Sequence, residues 1–153
     1  MTSVVVDVAP EPQPELVDRL LRALPAWFGI ESSIVEYVDA ARRLPTLVAS
    51  EDGAPVGVLL YERHFTSSAE IHLMAVDPAR HRRGVGRALV DAVESIVRAD
   101  GASLLEVKTL GPSHPDHGYA DTRAFYAACG FLPVEELLDL WPGNPCLIMI
   151  KPL

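Results

Sequence analysis

Against a net charge of −8, Arg80, Arg82, Arg83 and Arg87 crowd into one short stretch with Gly84 and Gly86. That stretch follows an apolar run and leads into an amphipathic one. A helix N-terminus presents unpaired backbone N–H groups at its positive dipole end, so it can hold phosphate. Glycines at 84 and 86 remove the side chains that would keep a pyrophosphate away from those N–H groups. The arginines add formal charge at the same place. A charge run usually ends as a solvated basic turn, but the order strand, basic turn, GxG, helix favours anion binding here.

Other residues have chemistry of their own. Glu70 heads the strand that enters the turn, and His72, two residues on, shares its face. A carboxylate and an imidazole on one face can form a proton relay. A histidine between Ile71 and Leu73 also reads as a structural residue, and Glu70 as an exposed strand-end carboxylate. Ser113, His114, Pro115, Asp116 and His117 form a loop whose prolines and short spacing argue against a preformed metal site, so no metal is expected. Trp27, Phe28, Gly29 and Ile30 read either as a pocket wall or as aromatic anchors of a helical hairpin.

The elements that must position these residues follow from periodicity. Residues 4–8 read as a strand, stopped by prolines at 10, 12 and 14. From Glu15, Leu16, Leu20, Leu21 and Leu24 recur at helical spacing, and Ser32 or Ser33 is expected to cap a second helix bearing Ile34, Tyr37, Val38 and Ala41. Residues 46–50 and 55–62 form strands around a tight turn at Glu51, Asp52 and Gly53. A strand over 69–76 then enters the glycine turn. The following helix places Val85, Ala88, Leu89, Ala92, Val93, Ile96 and Val97 on one face and stops at Asp100-Gly101. A strand over 103–109, a helix over 120–129 and strands over 131–140 and 146–151 complete an α/β chain. A single mixed β-sheet covered by helices is the simplest packing.

With 153 residues, 49% hydrophobic and 22% charged, the chain reads as one globular domain over 1–153. No apolar run approaches the roughly 20 residues that span a bilayer, and the N-terminus carries no secretory pattern. Cys129 and Cys146 make no disulfide framework, so a reduced, cytoplasmic setting is expected with no membrane partner. The acidic balance argues against nucleic acid.

His81-Arg82-Arg83-Gly84-Val85-Gly86 resembles the Q/R-x-x-G-x-G/A motif of the GNAT N-acetyltransferases, with histidine where the family has Gln or Arg. Ala124-Phe125-Tyr126-Ala127-Ala128-Cys129-Gly130-Phe131 resembles that family's FYxxxGF segment. The resemblance covers residues 48–151. It implies helices on both faces of the sheet, with a splayed central strand pair that admits the pantetheine arm of acetyl-CoA. It further implies that Met74, Ala75 and Val76 flank the thioester, and that His81, Arg82, Arg83, Gly84, Val85, Gly86, Arg87 and Ala88 hold the pyrophosphate. Glu70 resembles the general base of the histone acetyltransferase branch. The tyrosine of the second segment, Tyr126, is the implied general acid, against a plain core aromatic. Tyr119 and Thr122 stand where many members have Asn and Ala toward the pantetheine, and Thr122 or Arg123 would replace the Asn contact. The implied activity is acetyl transfer from acetyl-CoA to a small amine, with a protein acetyltransferase or a non-catalytic acyl-CoA sensor as alternatives. The 110–118 loop would shape the acceptor pocket, Glu31, Glu36 and Asp39 would either attract a cationic amine or form a solvated face, and a homodimer is compatible with these features.

Overall fold

A computed structural model describes residues 3–115 and 118–153. The elements run β1 (Val4–Val8), α1 (Pro14–Arg22), α2 (Glu31–Ala40), β2 (Thr46–Glu51), β3 (Ala54–Phe65), β4 (Ser68–Val76), a 3-10 turn (Pro78–Arg80), α3 (Val85–Ala99), β5 (Leu104–Leu110), α4 (Gly118–Ala128), β6 (Leu132–Trp141) and β7 (Asn144–Pro152). The strands form one mixed seven-stranded sheet in the order β1-β2-β3-β4-β5-β7-β6, with helices flanking it. The element order matches the expected one. The β4–β5 ladder is parallel and pairs Ser68–Ile71 with Leu104–Val107, while β4 itself continues to Val76 and β5 to Leu110.

By contact density the chain divides into two interleaved compact units, one running up to Glu62 and resuming over His72–Ile96, the other combining Arg63–Ile71 with Val97–Leu153. In the first unit α1 begins with Pro14, whose missing N–H costs nothing at a helix start, and its last turn carries Arg19 and Arg22. Its apolar face buries Val17, Leu20 and Leu21 against Ile34 of α2, Val58 and Leu60 of β3 and Leu73 and Ala75 of β4. Helix α2 departs from expectation at its start. The helix begins at Glu31 with Ile30 as its cap residue, so Ser32 and Ser33 lie inside it and no side chain caps it. Glu31 explains the shift, because its carboxylate favours the positive end of the helix and is held bidentately by Arg22 at 2.8 and 2.9 Å.

In the second unit β5 pairs antiparallel with β7, and β7 with β6. Cys129 and Cys146 are both buried thiols. Helix α4 ends in a Schellman motif, in which the Phe131 N–H donates to Tyr126 O at 3.0 Å and the Gly130 N–H donates to Ala127 O at 3.0 Å. The motif needs a left-handed residue, and Gly130 supplies it at φ 99°. It also folds Phe131 back onto Tyr126, ring centroids 5.4 Å apart. The FYxxxGF pattern is therefore a helix stop that locks the tyrosine ring. Gly130→Ala is expected to lose about 1–2 kcal/mol, the cost of a side chain in the left-handed region. Thermal unfolding checks it, and an unchanged midpoint would show that the motif relaxes without glycine.

Candidate functional site

The basic turn hangs from the end of β4 by several short bonds. The Asp77 N–H donates to Val56 O at 2.8 Å, and Asp77 Oδ1 accepts from the Ala79 N–H at 2.9 Å, capping the 3-10 turn. His81 Nε2 lies 2.9 Å from Val76 O, so its ring must donate through that nitrogen, and the ring stands edge-on to Trp27 at 5.7 Å. Arg82 adopts φ 63° and Gly84 φ 84°. A β-carbon at Gly84 would meet nothing within 4 Å, so the space in front of that backbone is open. The helix then starts at Val85, and the Ala88 N–H donates to Gly84 O at 3.0 Å.

Packing sets the helix start. Val85 and Leu89 are buried, and a β-carbon at Gly57 of β3 would come within 3.1 Å of one and 3.2 Å of the other. A residue lacking that carbon lets the first turn of α3 close onto the sheet. The arginines divide. Arg80 and Arg83 face the buried carboxylate of Glu51, and Arg87 pairs with Asp91 at 3.3 Å. Met74, Ala75 and Val76 lie on β4 beyond its ladder with β5, with Ala75 buried and the other two half-buried.

Glu70 is only 7% exposed, which excludes a solvated strand-end carboxylate. Its Oε1 lies 2.7 Å from His64 Nε2 and its Oε2 accepts from Lys108 Nζ at 2.9 Å. Lys108 also approaches Glu106 at 3.4 Å. Burial lowers the Lys108 pKa, but the Glu70 hydrogen bond and the fields of Glu70 and Glu106 outweigh burial, and the net shift is upward. Lys108 is therefore an ammonium throughout the neutral range. Burial pushes the Cys146 thiol up, opposed by Lys108 and assisted by Glu106 and Glu70, which leaves an unreactive thiol.

His64 and Lys108 were not singled out by the sequence. His64 lies near the end of β3 and Lys108 two residues beyond the register partner of Glu70. Only strand register brings them together. His72, the expected relay partner, belongs to a run of rings, 5.6 Å from Tyr37, which is in turn 5.8 Å from Phe28. Trp27 and Phe28 are half-buried against the core of their unit, which is the anchoring role, while Trp27 also touches the turn through His81.

Tyr126 is buried between Phe125 and Phe131, at 5.3 and 5.4 Å. Tyr119 and Thr122 lie on α4, both half-buried. Arg123 is tied to Leu110 O at 2.8 Å, a structural bond that joins α4 to the end of β5. The 110–118 loop is pinned where it is described, because Ser113 donates to Glu136 through its N–H at 3.0 Å and its hydroxyl at 2.8 Å. Asp116 and His117 lie outside the described residues. Glu31 is occupied by Arg22, whose hydrogen bond holds its carboxyl below the ordinary range, whereas Glu36 and Asp39 line a shallow depression of about 340 Å³.

Comparison with known proteins bears on the family and the fold. The profile of the acetyltransferase (GNAT) family matches residues 13–131. A mycothiol acetyltransferase of Clavibacter michiganensis subsp. michiganensis is 41% identical over 139 residues, which is 85% of this chain and 41% of that protein. The chain spans less than half the length of the curated relatives it matches. Among solved structures, a chain assigned to the GNAT family from Desulfovibrio desulfuricans superposes with a TM-score of 0.85 at 23% identity, over 98% of this chain and 99% of that one. A GNAT acetyltransferase from Elizabethkingia anophelis with acetyl-CoA bound gives 0.74 at 15% identity, covering 98% of each chain. At those identities the structures speak for the fold, while the profile covers well over half of the sequence. The chain belongs to the acetyltransferase (GNAT) family.

Proposed function

We propose that this chain is an acetyl-CoA-dependent N-acetyltransferase that transfers an acetyl group to a primary amine of a small molecule by direct attack in a ternary complex. The observation that carries the reading is the turn at 81–88, where two left-handed residues precede α3 and the space before Gly84 is open. An anion there would meet the N-terminal N–H groups of α3 and its positive dipole end. Family membership supports acetyl-CoA as the ligand, and the name of the 41%-identical relative supports a small-molecule acceptor.

The proposed chemistry uses few groups. Glu70 takes a proton from the attacking nitrogen at its carboxylate. The nitrogen bonds to the thioester carbonyl carbon, and the carbon–sulfur bond breaks. Tyr126 gives its hydroxyl proton to the departing thiolate and regains one from solvent. The buried, doubly hydrogen-bonded carboxylate of Glu70 supports its part, because a fixed base is worth more than a mobile one. The helix stop that locks the Tyr126 ring supports the other part in the same way.

The primary test is CoA binding by calorimetry together with thiol release from acetyl-CoA against a panel of small amines, lysine peptides and peptide N-termini. Binding with turnover on small amines is expected. Turnover on peptides alone overturns the acceptor class, and binding without turnover on any amine leaves a sensor. Valine at both 84 and 86 is expected to weaken CoA binding by blocking backbone approach, and unchanged affinity in the folded double variant overturns the placement.

Tyr126→Phe is expected to lower kcat roughly 10²–10⁴-fold, the usual contribution of a general acid, with little change in CoA affinity. Normal turnover would reduce Tyr126 to a packing residue. Glu70→Gln is expected to lower activity most on the acidic side of the pH profile, where free amine is scarcest, and a profile superimposable on the unsubstituted enzyme removes Glu70 from the reaction. Histidines 64 and 72 separate in double-mutant cycles with Glu70→Gln. The relay partner is strongly non-additive with Glu70, and a histidine acting elsewhere multiplies. The hydrogen bond on Glu70 favours His64.

A further inference from the structure

Glu51 is 8% exposed, and its Oε1 lies 3.2 Å from Arg80 Nε and 3.8 Å from Arg83 Nη1. Arg80 Nε is itself buried and makes no aligned hydrogen bond, so the contact is an ion pair rather than a directed bond. The position of Glu51 is fixed by local structure. Glu51 pairs with Ala54 across a two-residue turn in which Asp52 and Gly53 have φ 52° and 80°, the pattern of a tight hairpin. On its other side Glu51 pairs with Val4 of β1. The carboxylate thus stands on backbone that is held from both edges.

The turn above it is the opposite case. Arg82 bears a side chain yet sits at φ 63°, and such a conformation persists only where its surroundings over-determine it. Arg80 and Arg83 bracket Arg82, and both converge on the same carboxylate oxygen. His81 adds the bond to Val76 O between them. We propose that Glu51 is the positioning residue of the pyrophosphate turn, clamping Arg80 and Arg83 so that the backbone of 82–84 is already shaped for the anion before it arrives. The proposal rests on the reading of this turn as the coenzyme site. It also reassigns Arg80 and Arg83, which hold the turn through Glu51 instead of serving as free counter-charges for the ligand.

The sign of one substitution separates this role from simple electrostatics. Replacing Glu51 by glutamine removes a negative charge beside an anion site, and Coulomb's law alone then tightens CoA. A clamp predicts the reverse, since binding must then order the turn as well. Glu51→Gln is expected to weaken CoA roughly tenfold or more by calorimetry, the order of the coupling between close charge pairs. KM for acetyl-CoA is expected to rise in step while kcat stays nearly unchanged. Glu51→Asp keeps the charge but shortens the reach, so it is also expected to weaken binding, whereas a field effect alone leaves it unchanged. In a cycle with Arg83→Gln, whose side chain is 57% exposed, the two losses are expected to overlap strongly.

Thermal unfolding confirms that each variant is folded at the assay temperature. CoA affinity that is unchanged or tighter in folded Glu51→Gln, unchanged in Glu51→Asp, or simply multiplicative in the cycle overturns the clamp. Failure of the unsubstituted chain to bind CoA is a different result, since it overturns the coenzyme reading itself.

Discussion

Backbone amides can hold an anion only if no side chain stands between them and it, and the proposed reading of the turn makes this the constraint on the chain from Val76 to Leu89. The backbone must turn through the left-handed region at Arg82 and Gly84 and then enter a helix at once. A helix that starts so abruptly needs an anchor, which Val85 and Leu89 provide by packing where Gly57 lacks a β-carbon. The turn needs one too, since a side-chain-bearing residue there adds strain of about 1–2 kcal/mol. Asp77, His81 and the Glu51 ion pairs provide it. The turn before α3 is thus held from several sides.

Glu70 presents the same logic with charge in place of backbone strain. A carboxylate left unpaired in such a site would lose several kcal/mol of hydration, so burial and partnership must come together. Lys108 holds one oxygen and His64 the other, which fixes the carboxylate plane. The two partners differ in kind. Lys108 keeps its proton across the neutral range, because the carboxylates around it outweigh its burial. The His64 side chain is 37% exposed where Glu70 is covered. The arrangement therefore has one permanent charge that orients the carboxylate and one ring that faces water.

Much of this was legible in the residues, because the signals were local. The GxG entry to α3, the hairpin at Asp52-Gly53 and the glycine after α4 all act within a few residues. The element order follows from periodicities that burial enforces, so it survived intact. The cap of α2 was misread because two serines suited the local rule, while the decisive partner of Glu31, Arg22, lies on another helix. The same reason hid His64, Lys108 and Glu51. Each is unremarkable beside its own neighbours in sequence, and each acquires meaning from strand register or from a turn some thirty residues away.

This division between local and distant information has a chemical counterpart. In the proposed reading, the two segments that resemble the GNAT family are those in which backbone geometry itself would serve the chemistry. At Gly84 the backbone passes through the left-handed region just before α3, and at Gly130 it stops a helix so that Phe131 packs against Tyr126. Side-chain substitution cannot easily reproduce either effect, since only glycine enters those conformations without strain. The charges that stabilise them face a looser requirement. Any buried carboxylate within reach of Arg80 and Arg83, and any donors within reach of Glu70, would satisfy the same electrostatics. A short motif therefore records the backbone conditions of the site and stays silent about the ion pairs that hold it, and only the folded chain shows where those pairs are made.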